Sequence, residues 1–264
     1  MEMRLEAPNR EPLSSNEAVV EVHRAVRRYG GTAALDGLDL RVRRGETVAV
    51  VGPSGCGKST LLELLAGLQE ADAGEVVVDG HRTAAARLGA SAFMPQRDLL
   101  LPWRNALANA ALALECAGSS ARKAREAAAP LFERLGLGEF ERAYPAELSG
   151  GMRQRVAFVR TMLAGRAVLL LDEPFGALDS ITRAGVQDWL LSALQAEPRT
   201  VVLVTHDVEE ALYLADRTVV VSPRPGHTVA EIAASWDRSR PRRETVTSAE
   251  FAALKQQALE ALGC

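Results

Sequence analysis

The chain lacks a surplus of either charge, a long apolar run, a cysteine framework and an internal repeat, and each absence removes a class of protein. With 31 Lys and Arg against 34 Asp and Glu, a net charge of −3 and a pI near 5.9, it carries no broad basic field of the kind that attracts nucleic acid. No nucleic-acid partner is expected. No stretch approaches the ~18 consecutive apolar residues of a membrane span, and Met1–Pro12 is charged where a secretion signal would be apolar. Cys56, Cys116 and Cys264 are an odd set, spaced too widely for a zinc site or a disulfide framework, so a reducing, cytosolic compartment is expected. No repeat period or low-complexity tract appears.

What is present is the composition of a globular protein of one or two domains: 264 residues, 47% hydrophobic and 25% charged. Residues 1–17 are polar and aperiodic and read as a loose extension. Short β-branched runs follow at Val19–Val26, Leu38–Val42, Thr47–Val51, Val76–Val78, Ala167–Leu171, Thr200–Val204 and Thr218–Val221. Several are continuously apolar, as strands buried on both faces of a parallel sheet must be. Their alternation with helical stretches predicts an α/β core. Between about residues 97 and 165 strand signals vanish and Ala, Leu, Glu and Arg dominate, which predicts a helical insertion. Within it, Pro130 implies a kink or break, and Gly136 and Gly138 are candidate helix caps. At the end, Thr247-Ser248-Ala249-Glu250 has capping-box spacing before an amphipathic stretch, predicting a helical tail over residues 236–264 packed on the core.

The strongest chemical signal is Gly52-Pro53-Ser54-Gly55-Cys56-Gly57-Lys58-Ser59, a P-loop pattern that follows a strand-like run and precedes a helical one beginning near Thr60. Small residues let backbone N–H groups wrap a phosphate chain at a helix start. Lys58 supplies charge to the outer phosphates and Ser59 an oxygen to Mg²⁺. The apolar run Val168–Leu171 ends in Asp172 and Glu173. At the carboxyl end of a parallel strand, Asp172 would hold Mg²⁺ and Glu173 would orient or deprotonate an attacking water.

Leu148-Ser149-Gly150-Gly151-Met152-Arg153-Gln154-Arg155 resembles the signature motif of ATP-binding-cassette (ABC) ATPases, and other positions match that family in order over about residues 18–235. The resemblance implies a P-loop NTPase core with a mostly parallel sheet, an antiparallel β subdomain and the helical insertion. It implies that Tyr29 stacks on adenine, that Gln96 contacts Mg²⁺ and senses it, that Ala177-Leu178-Asp179 is a D-loop, and that His206 holds the γ-phosphate. Ser149 and Gly151 would act across an ATP-bridged homodimer on the nucleotide held by the other copy's Lys58. ATP and Mg²⁺ are the implied ligands.

The run Leu100-Leu101-Pro102-Trp103, together with Pro174–Arg183 and Ser222–Gly226, resembles the nitrate/sulfonate/taurine importer group. That implies a peripheral ATPase on the cytoplasmic face of the membrane, bound to integral permease subunits and acting indirectly with a solute-binding protein. The stretch after His206 is too short for the extra β-domain of sugar-importer ATPases. Uptake of a thiamine-precursor pyrimidine, a soluble assembly ATPase and a non-hydrolysing nucleotide-binding module are the alternatives.

Overall fold

The structure, a computed structural model, describes residues 17–234, 236 and 240–263. Residues 1–16 of the expected extension, and Ser235 at the expected domain boundary, lie outside the described residues.

Three strands form an antiparallel sheet in the order β2 (Thr32–Arg43), β1 (Ala18–Tyr29), β4 (Ala73–Val78). A second sheet runs β5 (Ser91–Met94), β6 (Val168–Asp172), β7 (Thr200–Thr205), β3 (Thr47–Val51), β8 (Arg217–Val221), β9 (Thr228–Ala233). It is parallel except for β9, which pairs antiparallel with β8. Every residue of β3, β6 and β7 is buried, which accounts for their unbroken apolar sequences. Side-chain alternation divides them between two cores: Val48 and Val50 face the antiparallel sheet with helix α1 (Lys58–Leu65), while Ala49 and Val51 face the opposite side. β9 escaped the sequence reading because only Ile232 of its six residues is buried, leaving no apolar run to detect.

After the short α2 (Ala84–Arg87) and β5, no strand interrupts the chain before β6 among the described residues. The insertion holds α3 (Ala106–Ala110), α4 (Leu112–Cys116), α5 (Ala121–Arg134) and α6 (Gly150–Met162). The expected break at Pro130 is absent, since α5 runs through it. Ala124, Ala128 and Phe132, four residues apart, bury one face, while Pro130 and Glu126, whose carbonyl loses its usual donor, are exposed to water. Gly136 closes α5 as expected: at φ 65° it lets its own N–H reach the Glu133 carbonyl and Leu137 N–H the Phe132 carbonyl. Gly138 does not cap; it opens a separate 3-10 turn.

Helices α7 (Ser180–Ala196) and α8 (Val208–Leu214) flank β7, and the chain ends with α9 (Arg242–Val246) and α10 (Ala249–Leu262). The cap of α10 is one residue later than the spacing suggested. Ser248 accepts from Phe251 N–H, because the Thr247 hydroxyl is already bonded back to the Arg243 carbonyl of α9. Phe251 and Ala258 anchor α10 in the core, with the Phe251 ring 5.3 Å from that of Trp236. No described helix is long and apolar enough to cross a membrane.

Candidate active site

The carboxyl ends of β5, β6, β7, β3 and β8 lie side by side, and the P-loop, Gln96, Asp172, Glu173 and His206 emerge there. After β3 the chain turns through Gly52–Gly57 into α1. Gly57 sits at φ 105°, and a Cβ there would come within 2.6 Å of Leu35 Cδ2 and 2.7 Å of the Ala34 carbonyl, so the tight turn admits only glycine. No side chain caps α1. Its first N–H groups, which lack intrahelical partners, are left for an anion. Lys58 is buried, its ammonium donating to the carbonyls of Gly52 at 2.7 Å and Pro53 at 3.0 Å, with Cys56 Sγ at 3.8 Å. Cys56 itself is wholly buried beneath the loop.

Ser54, Gly55, Gly57, Lys58, Ser59, Thr60, Gln96, Asp172 and Glu173 line one cleft of about 270 Å³, together with Ala34 and Arg224. A larger cleft, about 580 Å³ between Arg41, Glu46 and Arg217, contains none of the expected residues. Chemistry rather than volume identifies the site.

Asp172 is buried at the end of β6, and burial raises its carboxyl above the ordinary range. The neighbouring Ser59 hydroxyl and the charge of Lys58 pull the other way, while Glu173 adds to the rise. A buried carboxylate beside a hydroxyl is a hard-oxygen donor set that fits Mg²⁺, which commonly takes one or two protein ligands and completes its shell with phosphate and water. Among the described residues no three His, Cys, Asp or Glu stand together as a self-sufficient metal cage.

Glu173 is held from several sides. Its φ of 47° is an uncommon conformation for a non-glycine residue. Its N–H donates to the Val204 carbonyl at 2.8 Å, fixing it to β7. Gln96 Nε2 donates to Glu173 Oε2 at 3.2 Å, and His206 Nδ1 lies 3.0 Å from Oε1. Gln96, expected at the metal, and His206, expected at the γ-phosphate, thus both meet the Glu173 carboxylate.

Four expected residues stand apart from this cleft. Tyr29 is 44% exposed, its hydroxyl donating to Gln69 at 2.8 Å and its ring covered by the Arg27 guanidinium at 5.0 Å. Ser149 is exposed and caps α6 by accepting from Met152 N–H at 3.2 Å; half-buried Gly151 lies beside it. Neither signature residue lines the Lys58 cleft. Asp179 caps α7 through the N–H groups of Ile181 and Thr182.

The sequence reading gave no role to Gln154, although it lies inside the signature run. Buried, it donates to the Glu173 carbonyl at 2.7 Å and accepts from Ala177 N–H at 2.8 Å, joining α6 to the carboxylate and the D-loop within one chain. Beside Gln96, the Leu99–Trp103 stretch is a fixed platform: Asn109 pins Leu101 through both backbone groups and Arg160 bonds the carbonyls of Asp98 and Leu99. Leu100 packs inward, whereas Leu99 and Trp103 are 61% and 71% exposed.

The ABC transporter family model matches residues 35–176. An aliphatic sulfonates import ATP-binding protein, SsuB 1 of Rhodococcus jostii, is 45% identical over 235 residues, covering 89% of each chain. The formylaminopyrimidine import ATP-binding protein ThiZ of Halalkalibacterium halodurans is 43% identical over 211 residues, covering 80% of this chain and 82% of its own. Among solved structures, the ATP-binding cassette MJ0796 matches in two dimeric forms, one bound to ADP and Pi, with TM-scores of 0.76 and 0.75. Each is 29% identical and covers 83% of this chain and all of its own. With the P-loop, the paired carboxylates and the signature run set on this fold, the chain belongs to the ABC transporter family and is an ATPase cassette of it.

Proposed function

We propose that the chain is the ATP-hydrolysing subunit of an import system, binding Mg·ATP at the cytoplasmic face of the membrane and driving a permease for a small sulfonate-type solute such as taurine, or nitrate. The catalytic domain is residues 18–235, with residues 236–264 as a helical tail. The observation that carries the reading is the exposed pair Leu99 and Trp103 on a platform next to Gln96, the residue bonded to Glu173. Apolar groups exposed together mark an interface. Here that interface would receive the permease. The SsuB relative supports the sulfonate class; uptake of a formylaminopyrimidine is the second reading, supported by ThiZ.

In the reaction, P-loop N–H groups from Gly52 to Thr60 and the Lys58 ammonium bind the phosphates, and Tyr29 stacks on the adenine. Ser59 and Asp172 would hold Mg²⁺, with Gln96 able to reach the same ion, and the metal would neutralise charge on the phosphate oxygens. Glu173 accepts a proton from water as its oxygen attacks the γ-phosphorus. The bond to the β–γ bridging oxygen breaks, leaving ADP and inorganic phosphate. His206 stabilises the γ-phosphate. Ser149 and Gly151 contact the nucleotide on a second copy, so ATP joins a homodimer and its hydrolysis releases it, relaxing the permease through the Gln96 segment. A solute-binding protein supplies the specificity the chain itself does not carry.

The test is affinity capture of the tagged Glu173→Gln chain, with Mg·ATP, from detergent-solubilised host membranes. Recovery of a polytopic permease is the expected result. Soluble partners alone, with permeases detectable in the input, would replace the import reading by an assembly role.

A further inference from the structure

The turn Ser222–Gly226, which joins β8 to β9, reaches the phosphate loop although the reaction above makes no use of it. Ser222 organises the turn: its hydroxyl lies 3.0 Å from the carbonyls of Pro223 and Pro225 and accepts from His227 N–H at 3.1 Å. Gly226 fixes the turn to the site. Its N–H donates to the Ala34 carbonyl at 3.0 Å, its carbonyl accepts from Asp36 N–H at 3.1 Å, and a Cβ would collide with the Cys56 carbonyl. A rigid turn therefore aims Arg224 at the P-loop.

Arg224 Nε donates to the Gly55 carbonyl at 2.9 Å, and its side chain lines the same cleft as Lys58 and Asp172. One of its five N–H donors is used there and four remain. No carboxylate pairs with it among the described residues. The charge balance gives it a task. Lys58 alone faces two carboxylates, Asp172 and Glu173, and its ammonium is already shared by two loop carbonyls. With the Mg²⁺ proposed above, the cleft without Arg224 carries about one net positive charge against the roughly four negative charges of ATP, and Arg224 adds to the cationic side.

We propose that Arg224 is a second cationic contact for the phosphate chain of the nucleotide, steadying Gly55 through Nε and presenting its terminal N–H groups to phosphate oxygens. The inference rests on the nucleotide site proposed above. Guanidinium donors suit it because they bind phosphate oxygens in pairs while keeping their charge at all relevant pH.

The test is titration calorimetry of the full chain with ATP, ADP and adenosine, comparing wild type, Arg224→Gln, Arg224→Lys and Lys58→Ala. Arg224→Gln keeps an N–H donor but no charge. It is expected to weaken ATP about tenfold, ADP less and adenosine not at all, with Arg224→Lys recovering part of the ATP affinity through its charge. ATP affinity within twofold of wild type in Arg224→Gln, or equal losses for all three ligands, would overturn the assignment. Lys58→Ala separates the two levels: if it binds ATP as wild type does, the nucleotide site fails and Arg224 with it. If only Lys58→Ala loses ATP, the Arg224 inference alone fails.

Discussion

Two glycine-flanked helix starts, at α1 and α6, carry the P-loop and the signature motif, and the fold treats them in opposite ways. The start of α1 is enclosed: Leu35 and Ala34 crowd Gly57, Lys58 is buried, no side chain caps the helix, and its free N–H groups face a cleft with Ser59 and Asp172. The start of α6 is open. Ser149 spends its hydroxyl on Met152 N–H, and Ser149 and Gly150 are exposed, away from that cleft. An isolated chain thus holds one complete phosphate cradle and one outward-facing motif. In the proposed homodimer the second start is the surface that meets another copy, and the Gln154 bond to the Glu173 carbonyl ties α6 to that residue of its own chain.

The largest effect expected is from Glu173→Gln, which keeps every binding group and removes the proton acceptor. Turnover should fall by on the order of a thousandfold with ATP affinity unchanged, measured by phosphate release and calorimetry. Near-wild-type turnover would take Glu173 out of its role. Ser149→Arg tests the open half: turnover should fall about a hundredfold while the chain alone binds ATP as before, because the cradle around Lys58 is untouched. A loss of ATP affinity in the monomer would place Ser149 in the enclosed half and collapse the distinction. Gln154→Leu tests the link between the halves and should lower turnover about tenfold, with little change in ATP affinity, by freeing the Glu173 carbonyl and the D-loop. Unaltered turnover would mean that Glu173 needs no help from α6.

The smallest effect lies behind the site. Burial pushes Glu210 up to about 7, opposed by the Thr205 hydroxyl, Arg183 and Gln187 and assisted by Asp207. A carboxyl raised in the folded state stabilises the fold fully below its ordinary value near 4.5, and that stability is lost as pH rises through about 7. Glu210→Gln keeps an acceptor for Gln187 and should therefore remove a fall in Tm of a few degrees between pH 5 and 8, leaving both half-sites intact. A Tm profile parallel to wild type would show that Glu210 is ionised throughout.

Much of this was legible in the residues. The fully buried strands β3, β6 and β7 announced themselves as apolar runs, and the P-loop and the Asp172-Glu173 pair sit where their flanking patterns required. Elements whose identity depends on distant partners were not legible. β9 has a half-exposed sequence and is a strand because β8 offers it an edge. Pro130 stays within α5 because Ala124, Ala128 and Phe132 dock that helix whatever the local propensity. Arg224 lay in a run that marked a resemblance, and only the packing of Gly226 on Cys56 reveals where it points. Gln154 was hidden differently: its two bonds join residues far apart in sequence.

The central claim is that the active ATPase site is built from two chains, one giving the Lys58 cradle and the other the Ser149 helix start. Sedimentation velocity of the Glu173→Gln chain with Mg·ATP tests it most directly, compared with the same chain carrying Ser149→Arg. The account predicts an ATP-dependent dimer for the first and an ATP-loaded monomer for the second. An ATP-dependent dimer that survives Ser149→Arg, or no dimer in either case, would contradict it.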